Sequence, residues 1–317
     1  MKKIIIGIHG LGNKPPKNIL SEWWKAAIIE GLKKYNYSAG DFNFEMVYWA
    51  DILNKEPLNP EVTDKKNSLY ISEKYIPEEI PIPYERTGIK QKAIGYVEKY
   101  YDKFIVNEII SLKHPALTEI FIHFNLKEVE AYFSSRKEEN NGKKLSIKES
   151  IISRLAETLK RHHREDILLI THSMGAIIAH DALHELGYTD INIDTLVTIG
   201  SPLGQQYVLN VYREEEEKKL GTKFIVPKSI RKAWYNFSDI NDHVAINHYL
   251  GEIYKENDNK IKITDEVVQN NYSSSGILNP HKSYGYLRTP EVAAVINSFL
   301  IPKKFHFLNW FKRKPAN

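Results

Sequence analysis

The sequence predicts an α/β protein: a mostly parallel sheet of about six strands, helices on both faces, and a mainly helical insertion. Three observations lead there. Aliphatic runs without polar alternation recur, as in Ile4-Ile5-Ile6 and Ile167-Leu168-Leu169-Ile170, the composition of strands buried on both faces of a parallel sheet. Between them lie stretches with apolar residues at three-to-four spacing, the stripe of a helix that covers a sheet. Finally, residues 166–187, DILLITHSMGAIIAHDALHELG, pass from buried strand through a sharp turn into an amphipathic helix.

That turn, Thr171-His172-Ser173-Met174-Gly175, is the most informative stretch. A serine at the tip of a strand–turn–helix junction has strained backbone angles, so its hydroxyl stands exposed above the sheet. Gly175 supplies the small neighbour needed where strand and helix nearly touch. Two residues before the serine, where a glycine is usual, stands Thr171. The pattern is therefore GxSxG with one departure, and Ser173 is the candidate nucleophile.

Taken in order, the chain opens with KKIIIGIHGLG over residues 2–12, a short buried strand ending in His9-Gly10-Leu11-Gly12. Glycines at a strand's carboxyl end allow a tight turn whose N–H groups can face a ligand. The loop lacks the G-x-x-x-x-G-K-[ST] pattern of a phosphate cradle, and His9 reads as a hydrogen-bonder that shapes the loop. Residues 18–35 carry Ile19, Leu20, Trp23, Trp24, Ala27, Ile28 and Leu32 on one helical face. Residues 41–51, DFNFEMVYWAD, read as a second strand, which implies a right-handed parallel crossover.

From residue 52 to 142 the pattern changes: a Pro-, Asn- and Glu-rich loop precedes helices expected over 90–112 and 114–133. Such a stretch between core strands reads as an insertion. Two readings stand side by side, a lid over the active site or a helical decoration. The polar run 134–144, SSRKEENNGKK, reads as a linker, and Ile147, Ile151, Ile152, Leu155 and Leu159 mark the helix that leads to the central strand. DTLVTIGSPLG over 194–204 gives the next strand, 207–219 a helix with a solvated charged face, 233–237 a strand, and 261–268 a final one. The last helix begins at Thr289-Pro290-Glu291, with Thr289 as N-cap. The core is thus expected over 1–51 and 143–301, the insertion over 52–142 and a basic aromatic tail over 302–317.

Composition narrows the function. At 317 residues, 42% hydrophobic and 26% charged, the chain is an ordinary globular composition. Its net charge of +4 and pI near 8.8 come from dispersed lysines and argue against a nucleic-acid groove. Zero cysteines exclude disulfides, thiolate metal sites and cysteine nucleophiles. The first strand begins almost at Met1, which leaves no room for a signal peptide, and no apolar run reaches the ~18 residues of a membrane span. A cytoplasmic location is expected. No HExxH pattern or Asp/His cluster points to a catalytic metal, and no cofactor is expected.

A serine hydroxyl is a poor nucleophile at neutral pH, so it requires a base in hydrogen-bond reach and a carboxylate to hold that base's tautomer. In open α/β sheets these groups come from loops at the carboxyl ends of strands. His281, after the final strand, is the candidate base. Asp242 is the candidate acid, with Asp239 at the strand end as its rival; Asp242 is favoured because Asp-x-Val-Ala sets the acid before a short apolar anchor. His243 and His248 lie too close to the acid in sequence, and His172, His180 and His184 read as ordinary elbow and helix residues.

The set HGLG, THSMGAIIAHDAL, TIGSPLG, WYNFSDINDHVA and NPHKSYGYLRTPEV resembles the α/β-hydrolase-fold serine hydrolases of bacteria, in particular the lipase-like serine esterases related to GPI-inositol deacylases. The resemblance covers about two-thirds of the chain and leaves the insertion unmatched. It implies an α/β-hydrolase fold with Ser173 as nucleophile, Asp242 as acid and His281 as base. It further implies an oxyanion hole of the Leu11 and Met174 N–H groups, supported by His9, Gly10, Gly12 and Gly175. The implied reaction is hydrolysis of a carboxylic ester through an acyl-enzyme; a thioesterase on the same triad and a non-catalytic binding protein are the alternatives. The substrate would be a small-molecule or lipid ester. The tail over 303–314 interleaves Phe305, Phe307, Trp310 and Phe311 with Lys303, Lys304, Lys312, Arg313 and Lys314. That composition suits an anionic membrane surface, but a terminal segment that docks its aromatics on the core, with a charged frayed end, is the favoured reading.

Overall fold

A computed structural model describes residues 2–78, 126–134, 137–140, 143–185, 191–219, 223–274 and 276–301. The helices expected over 90–112, the first part of that over 114–133 and the basic aromatic tail lie outside the described residues.

Six strands form one parallel sheet: β1 (Lys3–Ile8), β2 (Asn43–Val47), β5 (Asp166–His172), β6 (Ile193–Ile199), β7 (Ile230–Asp239) and β8 (Ile263–Val268). Their spatial order is β2-β1-β5-β6-β7-β8, and every neighbouring pair runs parallel. This is the architecture the aliphatic runs predict, an α/β-hydrolase fold. From β1 the chain moves outward to β2, and from β5 it moves the opposite way through β6, β7 and β8. The crevice between β1 and β5 is therefore the point where winding reverses, and ligands of open α/β sheets bind outside the carboxyl ends of strands at such a point.

Alternation within each strand divides the core into two layers. Ile4, Ile6, Ile8, Ile167 and Leu169 point to the layer of α4 (Ile147–Arg161), α5 (Met174–Glu185) and α6 (Gln206–Lys219). Ile5, Leu168 and Ile170 point to the opposite layer, built from α1 (Lys17–Lys34), α7 (Ser283–Leu287) and α8 (Pro290–Leu300). Each fully buried aliphatic side chain contributes roughly 1.5–3 kcal/mol, so the faceless aliphatic runs are what holds the sheet between its helices. α1 buries Leu20, Trp24, Ala27, Ile28 and Leu32, the face read from its spacing. Among the described residues no helix is long and apolar enough to cross a membrane.

Several local readings change. The stretch read as a polar linker holds an antiparallel hairpin, β3 (Lys137–Asn140) with β4 (Lys143–Ser146); its backbone pairing needs no apolar run, so hydropathy does not reveal it. The strand expected over 233–237 extends to Ile230 and Asp239. Beyond β2 the chain turns into a short helix, α2 (Ala50–Leu53). Beyond β8 a second hairpin forms from β9 (Ser273–Ser274) and β10 (Ile277–Leu278). Thr289 precedes α8, but its hydroxyl donates back to the Tyr286 carbonyl at 2.9 Å and does not cap the helix. Within the stretch read as an insertion, residues 126–133 form α3 (Leu126–Phe133).

At the end of α4 the His162 ring lies between two carboxylates, Nδ1 2.9 Å from Glu165 and Nε2 2.8 Å from Glu45. Burial alone would lower its pKa, but the two glutamates outweigh it and the value is raised. The folded state therefore favours the protonated ring. Its stabilisation is complete below the unfolded pKa of about 6.5 and is lost as pH rises through the raised folded value. Urea titrations from about pH 5 to about pH 9 are expected to show a downward slope with rising pH that His162→Gln flattens.

Candidate active site

β1 and β5 end side by side, and their carboxyl-terminal loops bring HGLG against the THSMG turn. Ser173 has φ = 55°, in the left-handed region, the strain expected of a nucleophile elbow. Its N–H donates to the Ile199 carbonyl at 3.2 Å, and its own carbonyl accepts the first bond of α5 from the Ala176 N–H at 2.8 Å. The loops touch only because two residues lack side chains. A Cβ on Gly10 would come within 2.7 Å of the Ser173 Cβ, and one on Gly175 within 2.7 Å of the Ile8 carbonyl oxygen. Thr171, in the usual glycine position, is fully buried and donates its hydroxyl to the Val197 carbonyl on neighbouring β6 at 3.3 Å. The threonine's polar atom is therefore satisfied inside the sheet.

His281 reaches the elbow from the loop between β10 and α7. Its Nε2 lies 3.0 Å from the Ser173 hydroxyl, while Nδ1 faces both oxygens of Asp242, at 3.0 and 2.9 Å. A carboxylate can only accept, so Nδ1 carries the proton and Nε2 is left to accept from the serine. Burial would raise the Asp242 pKa, but the His281 ring and hydrogen bonds from Tyr286 and the Val244 N–H outweigh it, and the carboxyl is held below its ordinary value. Asp242 thus stays ionised.

Asp239 has different partners. Its oxygens accept the N–H groups of Asn241 at 2.8 Å and Asn270 at 2.5 Å. Burial raises its pKa, with those N–H groups opposing. It shapes the turn on which Asp242 stands, since the Asp242 N–H donates to the Asp239 carbonyl at 3.0 Å.

Two residues beside this chain of bonds escaped the sequence reading. The buried Tyr286 hydroxyl donates to Asp242 Oδ2 at 2.7 Å and accepts the Asp239 N–H at 2.8 Å. His172, read as an ordinary elbow residue, donates from Nε2 to the His281 carbonyl at 2.7 Å. Its ring packs 4.8 Å from the His281 ring. Burial and the neighbouring His281 push its pKa well below the usual histidine value, so it is a neutral donor. No spacing rule links a tyrosine in α7 to an acid 44 residues earlier; only the fold does.

His9 joins the loop after β1 to Trp49. Its Nε2 accepts the Trp49 N–H at 3.0 Å, its Nδ1 pairs with the Gly10 carbonyl at 2.8 Å, and its ring stacks on Trp49. Burial, then the charge of Lys14, lowers its pKa to about 3, so it is neutral at physiological pH. Leu11 follows β1 by three residues and Met174 opens α5 directly after the serine. The Gly12 N–H donates to Glu128 at 2.7 Å, and Lys14 donates to the Leu11 and Gly12 carbonyls. His248 pairs with the Ser238 hydroxyl at 2.8 Å, away from the serine. Among the described residues no group of three or more His, Asp or Glu side chains is placed to hold a metal ion.

Residues 133–216 match the family model of the PGAP1-like alpha/beta domain. No curated protein matches the chain. Among solved structures the chain is similar to an uncharacterised protein from Bacillus cereus, with 11% identity and a TM-score of 0.31, over 94% of this chain and 59% of that one. The family match spans α4, β5, the serine turn, α5 and β6, and over those residues the chain is similar to the PGAP1-like alpha/beta domain, set in the six-stranded sheet of an α/β hydrolase.

Proposed function

We propose that the chain is a serine hydrolase that cleaves a carboxylic ester through an acyl-enzyme on Ser173. One observation carries this reading: an unbroken line of hydrogen bonds from the strained Ser173 hydroxyl through His281 to the ionised Asp242. In the first step the Ser173 oxygen attacks the ester carbonyl and His281 Nε2 takes its proton. The Leu11 and Met174 N–H groups hold the oxyanion, each lowering the barrier by about 3 kcal/mol. The carbon–oxygen bond to the alcohol then breaks and the alcohol leaves with the proton from Nε2. A water, deprotonated by the same nitrogen, attacks the acyl group, and its proton returns to Ser173 as the acid departs. The PGAP1-like match supports hydrolysis in general; the ester and the serine mechanism rest on the site.

Intact mass after incubation with a fluorophosphonate tests it. The native chain is expected to gain a single adduct that Ser173→Ala abolishes, and to hydrolyse p-nitrophenyl butyrate. A folded native chain that gains no adduct, in buffer or in detergent, sinks the reading. Faster turnover of a matched thioester than of the ester would reassign the leaving group and leave the nucleophile in place.

A further inference from the structure

The segments that frame the insertion touch the site at two places. On its amino-terminal side, residues 72–78 run along the loop that carries His281. The Tyr272 hydroxyl donates to the Lys74 carbonyl at 2.6 Å, Asn271 to the Glu78 carboxylate at 2.6 Å, and Arg288 to the Ile76 carbonyl at 3.1 Å. Glu73 is central. Its two oxygens accept Asn279 Nδ2 at 2.5 Å and Lys282 Nζ at 2.8 Å, so it bridges the residues on either side of Pro280-His281. Asn279 uses its remaining amide atom, Oδ1, to accept the His281 N–H at 3.0 Å. Glu73 thus holds Asn279, and Asn279 holds the backbone of the base.

On the carboxyl-terminal side, α3 carries Glu128 to the loop after β1. The carboxylate accepts the Gly12 N–H at 2.7 Å, and Lys14 Nζ donates to the Leu11 carbonyl. These two atoms belong to one peptide plane, Leu11–Gly12, which is therefore gripped at both its hydrogen-bonding ends. The Leu11 N–H lies in the preceding peptide plane, joined to this one only through the Leu11 φ and ψ, so holding this plane narrows the directions that N–H can take.

From these contacts, and resting on the hydrolase reading above, we infer that Glu73 and Glu128 are positioning residues of the active site, Glu73 for the base loop and Glu128 for the oxyanion loop. The two framing segments are then working parts of the catalytic framework. Neither residue touches the reacting atoms; each acts through the loop it holds. Burial would raise the Glu73 pKa, but Lys282 and the hydrogen bond from Asn279 outweigh it and lower it, so it holds its partners as a carboxylate.

The test compares, in the full chain, Glu→Met, which keeps length without an acceptor, with Glu→Gln, which keeps an oxygen. It reads kcat and KM on p-nitrophenyl butyrate, the fluorophosphonate labelling rate of Ser173, and the melting temperature. Glu128→Met is expected to lower kcat at least ten-fold with KM changed less than two-fold, and Glu128→Gln to recover kcat to within three-fold of the native chain. Glu73→Met is expected to slow labelling of Ser173 at least ten-fold. Should a methionine variant fail to fold, Glu128→Ala and Glu73→Ala carry the same comparison against the glutamine variants. A kcat that falls only in step with the melting temperature, or methionine variants as active as the native chain, overturns the proposal and leaves the hydrolase reading standing. A native chain that neither labels nor hydrolyses overturns both.

Discussion

Replacing His281 with alanine is expected to lower kcat for ester hydrolysis on the order of 10⁶-fold, and Asp242→Asn about 10⁴-fold. The two losses differ because the groups do different work. Among the described residues the His281 ring is the group bonded to the Ser173 hydroxyl; His172 uses Nε2 on the His281 carbonyl and His248 bonds the Ser238 hydroxyl. With asparagine at 242 the ring remains, but a neutral amide can present N–H to Nδ1 and shift the ring proton to Nε2, where it faces the serine and cannot accept from it. Combining either change with Ser173→Ala is expected to add little, since the three act as a unit. Single-turnover release of p-nitrophenol checks all three. A loss below ten-fold for Asp242→Asn would show that the ring is oriented by other contacts, of which the His172 bond is the nearest.

The largest stability loss is expected from Asp181→Asn, about 3–5 kcal/mol by urea unfolding. Asp181 lies within α5, about two turns beyond the serine, and is fully buried. It accepts from Lys148 and Lys223, both at 2.9 Å, and from the Tyr132 hydroxyl at 2.9 Å. Burial would raise its pKa, but the two ammonium groups outweigh it and hold it well below the aspartate range. The amide would take from both lysines the buried carboxylate they share, and Glu215, 3.4 and 3.5 Å from them, does not replace it inside the core. Linkage gives the same group a pH signature. Its contribution is present above the unfolded aspartate pKa of about 3.9 and fades as pH falls toward the folded value. The native chain is thus expected to lose stability in acid more steeply than the variant. A loss under about 1 kcal/mol would mean that both lysines reach water once released.

Much of this architecture can be read from the sequence because of one physical circumstance. Strands covered by helices on both faces have no polar side, so Ile4 to Ile6 and Ile167 to Ile170 announce themselves without any partner in view. The serine turn is legible for a related reason: close approach of strand and helix requires small residues at set positions, and Gly175 occupies one. Thr171 was the one irregularity, and its bond to Val197 is invisible until β6 lies alongside. Tyr286, His172, Glu73 and Glu128 were illegible as site residues because nothing in their local composition distinguishes them from surface or core side chains. Their meaning comes from pairings as distant as the 209 residues between Glu73 and Lys282. The β3–β4 hairpin was missed from the opposite cause, since hydropathy cannot mark a strand made of lysine, glutamate and asparagine.

The separation of the serine from its base also bears on how the molecule comes into being. The hydroxyl and the imidazole meet across 108 residues, and imidazole and carboxylate across 39. As the chain emerges during synthesis, β1, β5 and the elbow can pack while His281 has yet to be made. Long-range parallel pairing is slow because loop closure precedes any reward from contact. On the hydrolase reading proposed above, the serine is inert through most of assembly and becomes nucleophilic only when the last strand and its following loop have docked. Chemical reactivity at one atom is then a timestamp for completion of the whole sheet.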